Sequence, residues 1–273
     1  DDFFQLSQTV SYQSFNLDNY GFRVGQDVLN NGTLNNLSYN VNLSRNSAGP
    51  SLIFPTYGSE FSIGVKATIP YSLFEDKDYT QPENLTTTEQ NDFLADKYKW
   101  LEYYKINAKG KWYTAFTDKL VMMTNAEVGF LGFYNDELGQ NPFERYFVGG
   151  DGIAAFQLDG RETVGLRGYE NSRLSSIEGG TMYNKYQLEL RYSITDSQAA
   201  SIYTLGFLEA GNSYDNFSDF NPFEVKRSAG LGIRIFMPAF GLLGIDFAHG
   251  FDPLPGQNIK SGWQTHFIIG RQF

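Results

Sequence analysis

Segments of about ten residues in which apolar and polar side chains alternate constrain this chain more than any other feature, because that is the length at which a tilted strand crosses a bilayer. Phe4, Leu6, Val10 and Tyr12 alternate with Gln5, Ser7, Thr9 and Ser11. Leu37, Tyr39, Val41 and Leu43 alternate with Ser38, Asn40, Asn42 and Ser44, and Phe61, Ile63, Val65, Ala67 and Ile69 with Ser62, Gly64, Lys66 and Thr68. A period of two is the mark of a strand with two unlike faces. A soluble β-sandwich is the alternative, but its strands would be shorter and its turn residues more closely spaced.

The connections alternate as well. Ser47–Ser59 holds Gly49, Pro50, Pro55 and Gly58 and reads as a turn, whereas Tyr71–Lys97 is polar, acidic and without periodicity, so an exposed loop is expected. Strands are expected at about Trp100–Trp112 and Leu120–Leu131, joined by the Thr114–Lys119 turn. Short turns on one side and long loops on the other are the habit of outer-membrane barrels. The mean hydropathy of -0.37 does not oppose this, because lipid-facing and lumen-facing residues cancel in the average.

Past a long segment from Tyr134 to Gly180 without sustained pattern, strands return. Tyr186, Leu188, Leu190 and Tyr192 oppose Gln187, Glu189 and Arg191. In Ser201–Gly211 the faces are mixed, since Tyr203, Leu205 and Phe207 share parity with Glu209. After a loop at Asn212–Glu224, Val225–Ile235 and Leu243–Phe247 alternate about a tight turn at Met237–Gly241. A Pro- and Gly-rich loop spans Phe251–Gly262, and Trp263–Phe273 is the last strand, with Trp263, Phe267, Ile269 and Phe273 on one face. The count is about ten strands, antiparallel and all-β, in the pattern of a transmembrane barrel.

The composition excludes several functions. Without cysteine there are no disulfides, thiolate zinc sites or cysteine nucleophiles. A net charge of -10 is wrong for a nucleic-acid partner. His249 and His266 have no spaced partner that suggests a metal or a catalytic triad, and read as wall residues. Asp215, Asp219 and Asn221 lack the glycine and terminal glutamate of a calcium loop. No leader precedes Asp1-Asp2-Phe3-Phe4, so the chain reads as mature or as cut from something longer.

Gly165-Leu166-Arg167-Gly168-Tyr169, inside the long segment, places one arginine between glycines. Glycine allows the sharp turn, and the guanidinium offers a fixed fork of donors suited to carboxylates. With its flanks, this stretch resembles the Omp85 superfamily, in particular the BamA-type members of Bacteroidetes-like bacteria. Ile53-Phe54-Pro55-Thr56-Tyr57-Gly58-Ser59 resembles that family's periplasmic turn, and Pro142–Gly150 the entry to its sixth extracellular loop. Leu166-Arg167-Gly168-Tyr169 resembles the loop tip, with Leu where Val or Ile is usual. Ser228–Arg234 and Phe267–Phe273 resemble the last strands.

The resemblance implies a barrel of about sixteen strands, of which this chain would be the C-terminal part, 1–273. It implies that Arg167 meets inward acids, by position Glu189 and Glu209. Asp151–Thr163 would be an insertion between the loop's entry and its tip. Phe267, Ile269, Gly270 and Phe273 would form the lateral gate and the C-terminal signal, with Gly270 weakening the pairing. The function implied is non-enzymatic insertion and folding of β-barrel proteins in the bacterial outer membrane, with the C-terminus in the periplasm. Partners implied are unfolded outer-membrane clients, accessory lipoproteins of an assembly complex and the lipid bilayer, with no cofactor, no metal and no nucleic acid. Polypeptide translocation or a TamA-like pore is the alternative, and a passive pore or receptor a remoter one.

Overall fold

The computed structural model describes residues 3–24, 27–75, 77–153, 160–197 and 200–270. In chain order its elements are β1 (Phe4–Leu17), β2 (Phe22–Val24), β3 (Asp27–Leu29), β4 (Gly32–Asn46), β5 (Tyr57–Thr68), α1 (Thr87–Lys97), β6 (Tyr104–Ala115) and β7 (Leu120–Gly132). They continue as β8 (Tyr146–Val148), β9 (Glu162–Val164), β10 (Met182–Asp196), β11 (Ser201–Tyr214), β12 (Lys226–Met237), β13 (Gly241–Pro253) and β14 (Lys260–Gly270). Ten of the strands form one sheet in the order β1-β4-β5-β6-β7-β10-β11-β12-β13-β14, every neighbouring pair antiparallel. Each strand thus pairs with the next sheet strand along the chain. Among the described residues β1 and β14 are the two edges and do not pair with each other.

The two faces are inverted relative to a soluble protein. Leu188, Leu190, Tyr192, Leu231, Phe247, Trp263, Phe267 and Ile269 are exposed on the outer face, while Glu189, Arg191, Arg234, Asp246 and His266 are buried on the inner one. Lipid requires the first and tolerates the second only where the charges find each other. No described helix is long and apolar enough to cross a membrane.

The chain between β7 and β10 folds into the concave side of the sheet. Its Phe143 ring lies 5.5 Å from that of Phe15 on β1, and its Glu144 carboxylate 2.6 Å from Lys66 on β5. At the other end Gly168 bonds to His266 on β14. The sheet therefore curves round this segment from β1 to β14. A core of Leu17, Leu34, Leu101, Tyr103, Tyr146, Leu166 and Tyr169 closes the end that carries the long connections.

Several boundaries differ from the sequence expectation. β1 continues to Leu17 and β4 begins at Gly32, with the β2–β3 hairpin between them in a polar stretch rich in Asn and Gly. β13 and β14 extend to Pro253 and from Lys260, shortening the expected Phe251–Gly262 loop to 254–259. Beyond the bilayer the outer face has no need of apolar side chains, so the alternation fades while the backbone pairing goes on.

The expected exposed loop Tyr71–Lys97 is also corrected, since it contains α1. Thr86 and Glu89 form a capping box: Glu89 N–H donates to Thr86 Oγ1 (3.3 Å) and Thr86 N–H to the Glu89 carboxylate (2.9 Å). The helix has only a short apolar patch, of which Leu94 is buried with Leu29 and Leu34, so the cap signals it better than periodicity does.

Candidate functional site

The loop tip is positioned by its own short pairing. β8 and β9 run parallel, Tyr146 opposite Glu162 and Val148 opposite Val164, and a bridge between Gly150 and Leu166 follows. Entry and exit of the loop are thereby laid side by side, and the tip is delivered to the inner wall. Of the expected insertion Asp151–Thr163, residues 154–159 lie outside the described residues.

Arg167 is 5% exposed and makes four side-chain hydrogen bonds, from all three of its nitrogens. Nε and Nη2 donate to Glu209 Oε1 at 3.0 and 2.7 Å, Nη2 also to Glu189 Oε1 at 2.8 Å, and Nη1 to Asp246 Oδ2 at 2.9 Å. Its backbone N–H donates to Glu209 Oε2 at 2.7 Å. The Phe207 ring lies against the guanidinium, 3.5 Å from Cζ to the ring centroid. Burial disfavours this charge, and the carboxylates of Glu209, Glu189 and Asp246 more than offset that cost.

The carboxylates have second partners. Arg191 donates to Glu189 Oε2 from Nε at 2.8 Å, and its Nη2 lies 2.7 Å from the same oxygen. Arg234 donates to both oxygens of Asp246, at 2.5 and 2.7 Å. Three buried carboxylates thus face three buried guanidinium groups, and every charge is compensated. Gln187 adds a bond of 2.6 Å to Glu189, and the Lys185 ammonium lies 3.8 Å from Glu209.

Gly168 follows with φ +89, a conformation that disfavours any side chain. A Cβ there would come within 2.7 Å of Ser228 Cβ and 3.0 Å of Gly250 N, so the tip lies directly on β12 and β13. Its N–H donates to His266 Nε2 at 2.8 Å. Tyr169, fully buried, donates its hydroxyl to Arg227 O at 2.7 Å, and Leu166 packs into the core at the long-loop end.

The structure therefore brings Leu166, Arg167, Gly168 and Tyr169 together with Glu189 and Glu209. The four residues of the last strand lie elsewhere. Phe267 and Ile269 are exposed on the outer face of β14, Gly270 ends it with nothing near its Cβ position, and Phe273 is outside the described residues. Asp246 and His266 belong to the clamp but do not stand out in the sequence. Asp246 has the inward parity opposite Leu243, Ile245 and Phe247, a charged residue among lipid-facing neighbours, and that was its signal. His266, read as a plain wall residue, pairs in register with Asp246 and supplies the only contact of the tip to β14 that the hydrogen bonds record among the described residues.

An arginine tip clamped by wall carboxylates inside a curved antiparallel sheet coincides with a match of the Omp85 superfamily domain to residues 4–273. The chain belongs to the Omp85 superfamily. Its fold is that of an outer-membrane BamA barrel: it is similar to a crystal structure of BamA from Haemophilus ducreyi lacking POTRA domains 1-3, with a TM-score of 0.65 over 98% of this chain at 16% identity. The chain spans about half, 51%, of the BamA chain it matches. No curated protein matches it by sequence.

The clamp ties the loop to the wall through hydrogen bonds between guanidinium and carboxylate groups. Among the described residues no cluster of three or more His, Asp or Glu is placed to hold a metal ion. Each acidic oxygen near Arg167 is engaged by nitrogen donors, so the chemistry of this site is charge-assisted hydrogen bonding.

Proposed function

We propose that this Omp85 chain serves to insert and fold other β-barrel proteins in the bacterial outer membrane, with the seam along β14 as the lateral gate. The observation that carries the reading is the span of the loop tip. From within, it contacts β10 through Glu189, β11 through Glu209, β12 through Arg227, β13 through Asp246 and β14 through His266. The strands up to the edge are thus held as one rigid plate. A rigid plate ending at β14 suits templating, because a strand edge released at the seam offers main-chain N–H and C=O groups that attract an incoming strand with little demand on its sequence.

On this reading about six further strands complete the barrel to roughly sixteen, within the known range, and periplasmic POTRA domains precede them. The short turns and the C-terminus face the periplasm and the long connections the outside. The clients are unfolded outer-membrane proteins, and accessory lipoproteins complete the complex. A polypeptide-translocating or TamA-like member would share the loop and the last strand.

Photo-crosslinkers placed singly at Gln264, Ile268 and Gly270, and as controls at Leu188 and Leu190, separate the readings. Assembly of clients at the edge gives adducts with a folding barrel client from the β14 positions and few from β10. Equal adducts from both sets, or none from β14 during active client assembly, would defeat the proposal.

A further inference from the structure

A groove of about 790 Å³ crosses the outer face of the wall near the end that carries the long connections. Tyr186 and Leu188 of β10, Leu208 of β11 and Phe251 of β13 line it, and all four are exposed. Its volume lies in the range of small-molecule sites. Ala210 makes the room. It stands opposite Tyr186 on β10 and Arg227 on β12, and a single methyl group there leaves a gap between longer neighbours.

One end of the groove is cationic. The outward positions of β5, β6, β7, β11 and β13 carry no charged residue, because a charge that faces lipid is costly. Arg227, the second residue of β12, is outward and lines the groove, as does Lys260, the first residue of β14. Both sit at strand ends, where a long side chain lifts its charge to the headgroup level.

Asp252 accepts from Arg227 Nε at 3.1 Å, from Nη2 at 2.8 Å and from the main-chain N–H at 2.7 Å. That pair fixes the fork and leaves Nη1, for which the hydrogen bonds record no acceptor among the described residues. Lys260 has no ion pair among the described residues, so two cations here face one carboxylate. Glu209 also borders the groove, but its carboxylate is spent on Arg167 on the inner side.

We propose that this groove is a binding site for a phosphate-bearing acidic lipid. An acyl chain lies along Leu188, Leu208 and Phe251, and the headgroup phosphate meets Arg227 Nη1 and the Lys260 ammonium. Guanidinium and phosphate form charge-assisted hydrogen bonds, and lysine adds a point charge. Each cation near a membrane surface favours an anionic lipid by about fivefold, so the two together give a preference over a zwitterionic lipid of roughly twentyfold at low salt. The same stretch of β11 then turns Glu209 inward to the loop tip and Leu208 and Ala210 outward to the lipid.

The test uses the complete protein in phosphatidylcholine vesicles, with any cysteine outside residues 1–273 replaced. A bimane on Leu208→Cys reports quenching by nitroxide-labelled phosphatidylglycerol against equally labelled phosphatidylcholine. The same label on Leu190→Cys, exposed on β10 but outside the groove, is the reference. Phosphatidylglycerol is expected to quench the Leu208→Cys label at about one twentieth of the mole fraction that phosphatidylcholine needs, and the reference label at about the same fraction. Lys260→Gln lowers the preference about fivefold, and Arg227→Gln with Lys260→Gln abolishes it. Ala210→Phe, which fills the gap and keeps both charges, abolishes it too. Equal quenching by the two lipids, or an equal preference at the reference label, overturns the site. A preference that survives the loss of both cations, or the filling of the gap, overturns the residues assigned to it. Inorganic phosphate at the concentration of the lipid leaves the preference in place; if it removes the preference, the site takes phosphate alone and the lipid is wrong. Should Arg227→Gln fail to assemble, Lys260→Gln leaves the Asp252 pair intact, and an unchanged preference there overturns the proposal. These readouts concern the wall and not the gate, so crosslinks that defeat the gate leave them as stated.

Discussion

Replacing Arg167 by alanine removes four side-chain hydrogen bonds from three buried carboxylates. Breaking a buried ion pair costs about 3–5 kcal/mol, chiefly because the partner is stranded, against ~0–1 kcal/mol for an exposed pair. Here no carboxylate is left bare: Glu189 keeps Arg191, Asp246 keeps Arg234, and Glu209 keeps the backbone N–H of residue 167. The cost therefore falls at the lower end, about 3 kcal/mol, which at 1.36 kcal/mol per decade raises the population of the released loop roughly 150-fold. Tryptic cleavage at Arg161 and Arg173 reads that population when the loop recloses faster than it is cut. Arg167→Lys keeps the charge without the fork, so its cleavage rate is expected between the two. A rate for Arg167→Ala within threefold of the parent, with the barrel still folded, would refute the reasoning and leave Arg167 a solvated tip.

Gly168→Ala is expected to unseat the tip as completely as Arg167→Ala in the same cleavage assay, because the added Cβ meets Ser228 and the β13 backbone at a positive φ. His266→Ala strands the Gly168 N–H and should cost about 1–3 kcal/mol in thermal unfolding, with recovery in His266→Gln if its carbonyl reaches the same donor. Thr86→Ala breaks the capping box of α1 and should lower amide protection over 87–97 by about 1 kcal/mol while cleavage of the loop stays unchanged.

Where the chain meets lipid outside and polar groups inside, the two environments write themselves into alternate residues, as in Phe61–Ile69 and Tyr186–Tyr192. That made the strand architecture legible. β11 was harder because Tyr203, Leu205 and Phe207 are apolar on the inner side, where Phe54 and the Arg167 guanidinium cover them, so the contrast between faces is lost. α1 escaped for a different reason: its cap is polar and local, and its buried side chain is a single leucine. In the clamp, the inward parity of Glu189 and Asp246 is visible in the alternation, but the choice of partners is not. It depends on register, which sets Asp246 opposite His266 and brings both within reach of one loop tip.

The gate itself is tested most directly by closing it. Cysteine pairs between Gln264–Gly270 on β14 and the first strand of the complete barrel would lock the seam with a disulfide, and residues 1–273 contribute no other cysteine. Assembly of other barrels in the locked protein is expected to stop and to return on reduction. Assembly at the normal rate with the disulfide intact would contradict the account.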